Sequence, residues 1–283
     1  DSAYVEKTHG AAIVDAADIR LGEGVVLPIP AYYSSLVTVI PTSDEMNLFD
    51  YNKTAPNNFS IPGAATQGDK DVVVARLTLQ CLQRTAIWIG LKLDRYNPNR
   101  VNQPEDIENI KVYYDANGNG LFDKDIDELV TPTDKKYTFP VSYLKVDVST
   151  TDTTIYLEDV SKIALSPTVD FSPFPEAPGR VVLSDGSENL EVIYFNGVDR
   201  ENNALTGCLR GQEGTVTRFH PKGAKVSGKA VLWILGNFFD LGPYRVGQEI
   251  LSEVPKDYFV CVDINYLAKV HEASQIGISI KTT

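Results

Sequence analysis

The sequence predicts an all-β protein, an antiparallel β-sandwich interrupted by a small inserted β domain. Three observations lead there. Short runs rich in Val, Ile, Thr and Tyr are separated by clusters of Gly, Pro and Asn, the pattern of antiparallel sheets. Helical periodicity is nearly absent. The long apolar runs near the C-terminus match the early strands in character better than the middle ones, so the middle reads as a guest.

In chain order, residues 1–24 form an N-terminal arm studded with small apolar residues. Residues 25–137 carry the first part of the sandwich. Strands are expected at Leu36–Ile40, at Val72–Leu79 with alternation in its second half, at Ala86–Leu93 with alternation again, and at Ile110–Tyr114. Residues 138–229 form the inserted domain, with short strands at Ile155–Leu157, Arg180–Leu183, Leu190–Phe195 and Ala204–Gly207. Asn196-Gly197 favours a tight turn. Pro167, Pro173, Pro175 and Pro178 mark a stiff loop that no central strand would contain. Residues 230–283 return the closing strands: Ala230–Leu235, Tyr258–Ile264 and the strictly alternating Gln275–Ile280.

Composition sets limits on function. The 283 residues are 43% apolar, enough to bury a core without disulfide staples. A net charge of −12 argues against nucleic acid or an anionic membrane as the main partner. No apolar run approaches the roughly 18 residues of a membrane span. The chain opens on Asp1 rather than Met, which a removed signal peptide or a trimmed boundary would explain. The three cysteines, Cys81, Cys208 and Cys261, include no CxxC pair, so zinc and thioredoxin-type chemistry have little support.

The sharpest motif is Asp115-Ala-Asn117-Gly-Asn119-Gly120-Leu121-Phe-Asp123-Lys-Asp-Ile126-Asp127. Oxygen side chains at positions 1, 3 and 5 and Gly at 6 match the first half of an EF-hand-type loop. Hard Ca²⁺ takes six to eight oxygens, and the glycine permits the turn that gathers them. Leu121 would offer its backbone carbonyl. Ile126 stands where the bidentate Glu belongs, so Asp123 and Asp127 are the replacements. The stretch 105–128 holds eight acidic and two basic residues, half of the chain's net charge. The expected cofactor is therefore structural Ca²⁺ on Asp115, Asn117, Asn119, Leu121, Asp123 and Asp127. The alternative is an Asn-Gly-rich hairpin turn with solvated carboxylates.

Residues 72–130 resemble Ig-like repeats of bacterial secreted and surface proteins. The shared pattern is Val-Ala-Arg-Leu-Thr-Leu, then Asp106-Ile-Glu-Asn-Ile-Lys-Val-Tyr-Tyr, then the Asp-Asn-Asn loop. Tyr258–Ile280 resembles the closing strands of such repeats. The resemblance implies an Ig-like sandwich. Within 147–227, Glu191-Val-Ile-Tyr-Phe-Asn-Gly, Leu205-Thr-Gly-Cys-Leu-Arg-Gly, Gly214-Thr and His220-Pro-Lys-Gly are similar to a small β module of phage tail-associated and secreted proteins. That resemblance implies a non-catalytic structural module.

Catalysis finds little footing. His220 with Arg210 and Glu191 reads as a turn-stabilising polar cluster, and no GxSxG, HExxH or phosphate loop is present. Trp88 and Trp233 read as core. Cys81 and Cys261 lie in strands and would form an inter-sheet disulfide in an oxidising compartment, with two buried thiols as the alternative. The arm, through Ala11, Ile13, Val14 and Ile19, would add to an open sheet edge of the next copy of the chain.

The expected function is that of a non-enzymatic extracellular structural protein. It would be a secreted or cell-surface filament subunit, joined head to tail with its own copies by a donor strand and stabilised by calcium. A phage tail or baseplate component, and a carbohydrate-binding accessory module, are the alternatives.

Overall fold

The computed structural model describes residues 11–14, 46–49, 65–81, 85–96, 103–163, 177–185, 190–241, 243–251, 254–268 and 277–279. The described residues form an all-β structure with no α-helix; the only helical turns among them are short 3-10 turns such as Pro104–Asp106. The expected strand Leu36–Ile40, assembly residue Ile19 and most of the proline-rich loop lie outside the described residues.

The first part of the chain supplies β1 (Ala11–Val14), β2 (Met46–Phe49), β3 (Val72–Cys81), β4 (Thr85–Tyr96), β5 (Ile107–Tyr114) and β6 (Glu128–Leu129). The middle supplies β7 (Val141–Tyr143), β8 (Thr154–Tyr156), β9 (Gly179–Ser184), β10 (Leu190–Phe195), β11 (Gly197–Asp199), β12 (Ala204–Thr206), β13 (Leu209–Gln212) and β14 (Lys225–Ser227). The last part adds β15 (Ala230–Trp233), β16 (Leu235–Leu241), β17 (Tyr244–Val246), β18 (Gln248–Leu251), β19 (Lys256–Ile264) and β20 (Gly277–Ser279).

One five-stranded sheet runs β2-β3-β19-β5-β6. A second is centred on β4, which pairs with β1, β15, β18 and β20. The late strands β15, β18, β19 and β20 thus close sheets begun by β3, β4 and β5. The middle of the chain builds separate sheets, β13-β10-β9-β14-β7 and β11-β12-β8.

The burial follows the same division. One apolar cluster draws on residues 75–139 and 230–278 and includes Leu77, Trp88, Leu91, Val112, Leu232, Trp233 and Tyr258. Trp88 of β4 meets Tyr258 of β19 edge-on, ring centres 4.7 Å apart, so one core serves both large sheets. Both tryptophans are buried. A second cluster comes wholly from residues 144–226, including Leu144, Ile155, Val181, Ile193, Phe195 and Val226. Buried polar contacts join the two parts, among them Gln103 to Ser184 at 3.1 Å and Arg180 to Asp94 at 3.4 Å.

Three local expectations are corrected. Strand β4 is buried at every position from 86 to 95 instead of alternating, because strands on both edges and packing on both faces cover it. In β3 the alternation falls in the first half, and residues 75–79 are all buried. Asn196-Gly197 is not a hairpin turn. The chain passes there from β10 in one sheet to β11 in another, and the reversal comes later, at residues 200–203. Asp199 caps that reversal by accepting from the amides of Glu201 and Asn202, and Asn203 takes the left-handed conformation (φ 55°) that Asn tolerates.

Candidate functional site

Strand β5 delivers the chain to the acidic loop, and β6 receives it. Asp115 N donates to the Asp257 carbonyl at 2.9 Å, a last rung before the chain leaves the sheet. The Asp115 carboxylate then turns inward, 2% exposed, and accepts from Gly120 N at 2.7 Å and Asn119 N at 3.3 Å. Asn117 Oδ1 accepts from Asn119 N at 3.0 Å, and Asn119 Oδ1 from Leu121 N at 2.7 Å. Asp123 Oδ1 accepts from Asp125 N at 3.2 Å. Asp127 closes the ring: its carboxylate reaches back to Ala116 N at 3.3 Å and Asp123 N at 2.8 Å. Side-chain oxygens of Asp115, Asn117, Asn119, Asp123 and Asp127 thus organise the loop from within.

The sequence left open which residue replaces the missing position-12 carboxylate. Ile126 is 52% exposed and turns outward, whereas Asp127 is 7% exposed and turns into the loop. Burial, together with the charges of Asp115 and Asp123, pushes the Asp127 carboxyl above its ordinary range against the pull of its two amide donors. Three carboxylates therefore share this neighbourhood. The one lysine inside the loop, Lys124, points away and pairs with Asp71. Among the described residues no three His, Cys, Asp or Glu side chains form a ready-made metal cluster. The donor chemistry (all oxygen, two of five side chains amides) suits a hard cation, and the carbonyl of the exposed Leu121 remains the expected backbone ligand.

The loop does not stand free. It lies on the face of β3-β19-β5 remote from the main core. Phe122 packs on Tyr113 at 5.0 Å and on Phe259 at 5.7 Å, and these rings with Val73 and Leu129 cover Cys261. Arg76, 3% exposed on its side chain, donates to the Gly120 carbonyl at 2.8 Å and pairs with Asp257 at 2.5 Å. Lys111 bridges Asp71 and Asp263 at 2.7 and 2.8 Å, and Tyr113 OH donates to Asp71 at 2.8 Å. Desolvation of Asp71 is outweighed by Lys111, Lys124 and Tyr113, which hold its carboxyl at about 2. None of this docking set was singled out from the sequence. The one available signal was Arg76, a charge in the middle of an apolar strand.

A second polar centre lies in the middle part of the chain. Glu191 is fully buried and takes both arms of Arg210, each at 2.7 Å. It also accepts from Gly211 N at 2.9 Å and Arg218 N at 3.1 Å, and faces His220 Nε2 at 2.9 Å. Burial raises the carboxyl, but the His220 and Arg210 bonds outweigh it and hold it at about 2. The geometry ties β10, β13 and the 213–220 loop together. A carboxylate whose oxygens are filled by five donors is poorly placed to take a proton from a substrate.

The cysteine expectation fails on register. Cys261 lies opposite Val73, so Cys81, eight residues further along the neighbouring strand, is about 26 Å away. A disulfide needs Cα atoms within about 7 Å. Cys261 and Cys208 are buried free thiols. An inter-sheet bridge needs Cys81 and Cys261 on opposite sheets, whereas β3 and β19 are neighbours in one sheet.

Three of the four arm residues, Ala11, Ile13 and Val14, lie on β1. It pairs with β4 in parallel, Ala11 opposite Ile87 and Val14 opposite Leu91, with a bulge between Ala12 and Ile13. Among the described residues this is the one parallel pairing; all others are antiparallel. No protein-family model matches the chain, and no curated protein matches it.

Proposed function

We propose that the protein is an extracellular structural subunit, an Ig-like sandwich with an inserted β module, that joins copies of itself head to tail by donating β1. The single observation that carries this reading is the parallel β1–β4 pair. A parallel neighbour needs a long connection, and here some 70 residues separate Val14 from Thr85. Strand β1, separated from β2 by 31 residues and from β4 by β2 and β3, gains the same ladder bonds from β4 of its own chain or of the next. A non-closing exchange of this kind extends into a filament. The core shared by the two large sheets supports the sandwich reading.

Calcium is the second part of the proposal. Asp115, Asp123 and Asp127, with Asn117, Asn119 and the Leu121 carbonyl, would hold Ca²⁺ and offset the burial and the carboxylate repulsion that raise Asp127. Its role is structural: it stiffens a loop that already caps one sheet.

Electron microscopy tests both parts. Filaments from the intact chain, dispersed particles after deletion of residues 1–24, and fraying of filaments under a calcium chelator are expected. Identical assembly with and without the arm overturns strand donation. Indifference of both filaments and thermal stability to calcium overturns the cation site. A phage-type component would give closed rings or tubes of fixed diameter instead.

A further inference from the structure

We infer that Asn117 is a site of spontaneous, position-selective deamidation, favoured over the other two Asn-Gly pairs by the hydrogen bonding of this loop. The pairs are Asn117-Gly118, Asn119-Gly120 and Asn196-Gly197. In the reaction the backbone nitrogen of the glycine bonds to the Asn side-chain carbonyl carbon. The bond from that carbon to the side-chain nitrogen breaks, and the nitrogen leaves as ammonia with the proton from the glycine amide. Water then opens the resulting succinimide, at one carbonyl to aspartate and at the other to isoaspartate. Nothing is oxidised or reduced, and water is the only co-reactant.

The reaction needs a free glycine amide, an accessible and polarised side-chain carbonyl, and backbone freedom. Asn117 and Gly118 are both exposed. A Cβ at Gly118 would meet nothing within 4 Å. Among the described residues Gly118 N has no acceptor, so it faces water. Asn119 N donates to Asn117 Oδ1 at 3.0 Å and polarises the carbonyl to be attacked.

Neither of the other two pairs meets all of these conditions: the Asn119 carbonyl is exposed and polarised by Leu121 N at 2.7 Å, but its glycine amide is not free. Gly120 N is committed to the buried Asp115 carboxylate at 2.7 Å, and Gly120 is itself buried beneath Arg76. Gly197 sits in the β11–β12 ladder opposite Thr206, with Asn196 N bonded to the Thr206 carbonyl at 3.0 Å. Breaking a charge-assisted amide bond before reaction slows Asn119 by about tenfold or more relative to Asn117. The product places a fourth carboxylate among Asp115, Asp123 and Asp127, or, as isoaspartate, lengthens the loop backbone by one methylene.

The test ages the intact chain at mildly alkaline pH with a chelator present and maps deamidation by peptide mass spectrometry with fragmentation that separates aspartate from isoaspartate. A synthetic peptide spanning residues 112–124 ages alongside it. Asn117 and Asn119 should convert at similar rates in the peptide and split by about tenfold or more in the folded chain, Asn117 leading. Equal rates in the folded chain, or Asn119 or Asn196 leading, would overturn the inference. Asp115→Ser frees Gly120 N and should bring Asn119 up toward Asn117; a persistent lag in a folded variant also overturns it. If that variant does not fold, the comparison of chain with peptide decides alone.

Discussion

Replacing Gly120 by alanine tests how the acidic loop is held down. Gly120 and Gly118 both adopt left-handed backbone, φ +73° and +65°, so a Cβ at either costs about 1–2 kcal/mol in backbone strain. They differ in what that Cβ meets. At 118 it meets open space. At 120 it would lie 2.7 and 2.8 Å from the two Arg76 Nη atoms. Arg76 must retract, which breaks its bond to the Gly120 carbonyl and disturbs its pair with Asp257. A lost bond to a charged group adds about 1.5–3 kcal/mol. Gly120→Ala should therefore cost about 2.5–5 kcal/mol and Gly118→Ala about 1–2. Equilibrium urea unfolding followed by tryptophan fluorescence reads the difference, because Trp88 packs directly on Tyr258 of the sheet that the loop covers. Equal midpoints for the two variants would refute the claim that Arg76 clamps the loop.

Other expectations follow from the same contacts. Glu191 has a folded pKa of about 2 against an ordinary 4.5, so its contribution is present above pH 4.5 and lost as pH falls from there toward 2. Glu191→Gln should flatten that part of the pH–stability curve, leave the similar loss due to Asp71 in place, and cost about 3–5 kcal/mol at neutral pH by stranding Arg210. Cys261 should resist a thiol reagent in the native chain, since burial pushes its pKa well up, and Phe122→Ala should speed its labelling severalfold as seen by peptide mapping. Calcium at about one hundred times its Kd should stabilise the chain by about 2.7 kcal/mol. Asp127→Asn should abolish most of that gain in a calorimetric titration. Without calcium, the raised Asp127 pKa means its share of stability is greatest at low pH and is lost as pH rises through the folded pKa.

The loop's internal order was legible because its interactions are local: each oxygen serves an amide within about a dozen residues, and the Asp-x-Asn-x-Asn-Gly spacing encodes that directly. Its docking was not legible, because Arg76, Asp71 and Phe259 are distant in sequence and meet the loop only through strand order. The same limit undid the Cys81–Cys261 bridge: periodicity marks both as strand residues, but only register says that they lie far apart along neighbouring strands. Continuous burial of β4 was hidden for a related reason. Alternation in the sequence reports side-chain polarity, whereas burial of Lys92, Asp94 and Arg95 depends on what the rest of the chain lays over them. The grouping of Glu191, Arg210 and His220 was foreseeable as a cluster, while its saturation by five donors emerged only from geometry.

Strand donation is the central claim, and a mixing experiment with cysteine variants tests it most directly. Register places Ala11 opposite Ile87. One chain would carry Ala11→Cys and another Ile87→Cys, both with Cys81→Ser to remove the third thiol. After the two are mixed under assembly conditions and oxidised, strand donation yields a covalent heterodimer that is absent when either chain is oxidised alone, and a ladder of covalent oligomers from a chain carrying both changes. A doubly changed chain that closes its bridge wholly within itself, with no heterodimer from the mixture, would contradict it.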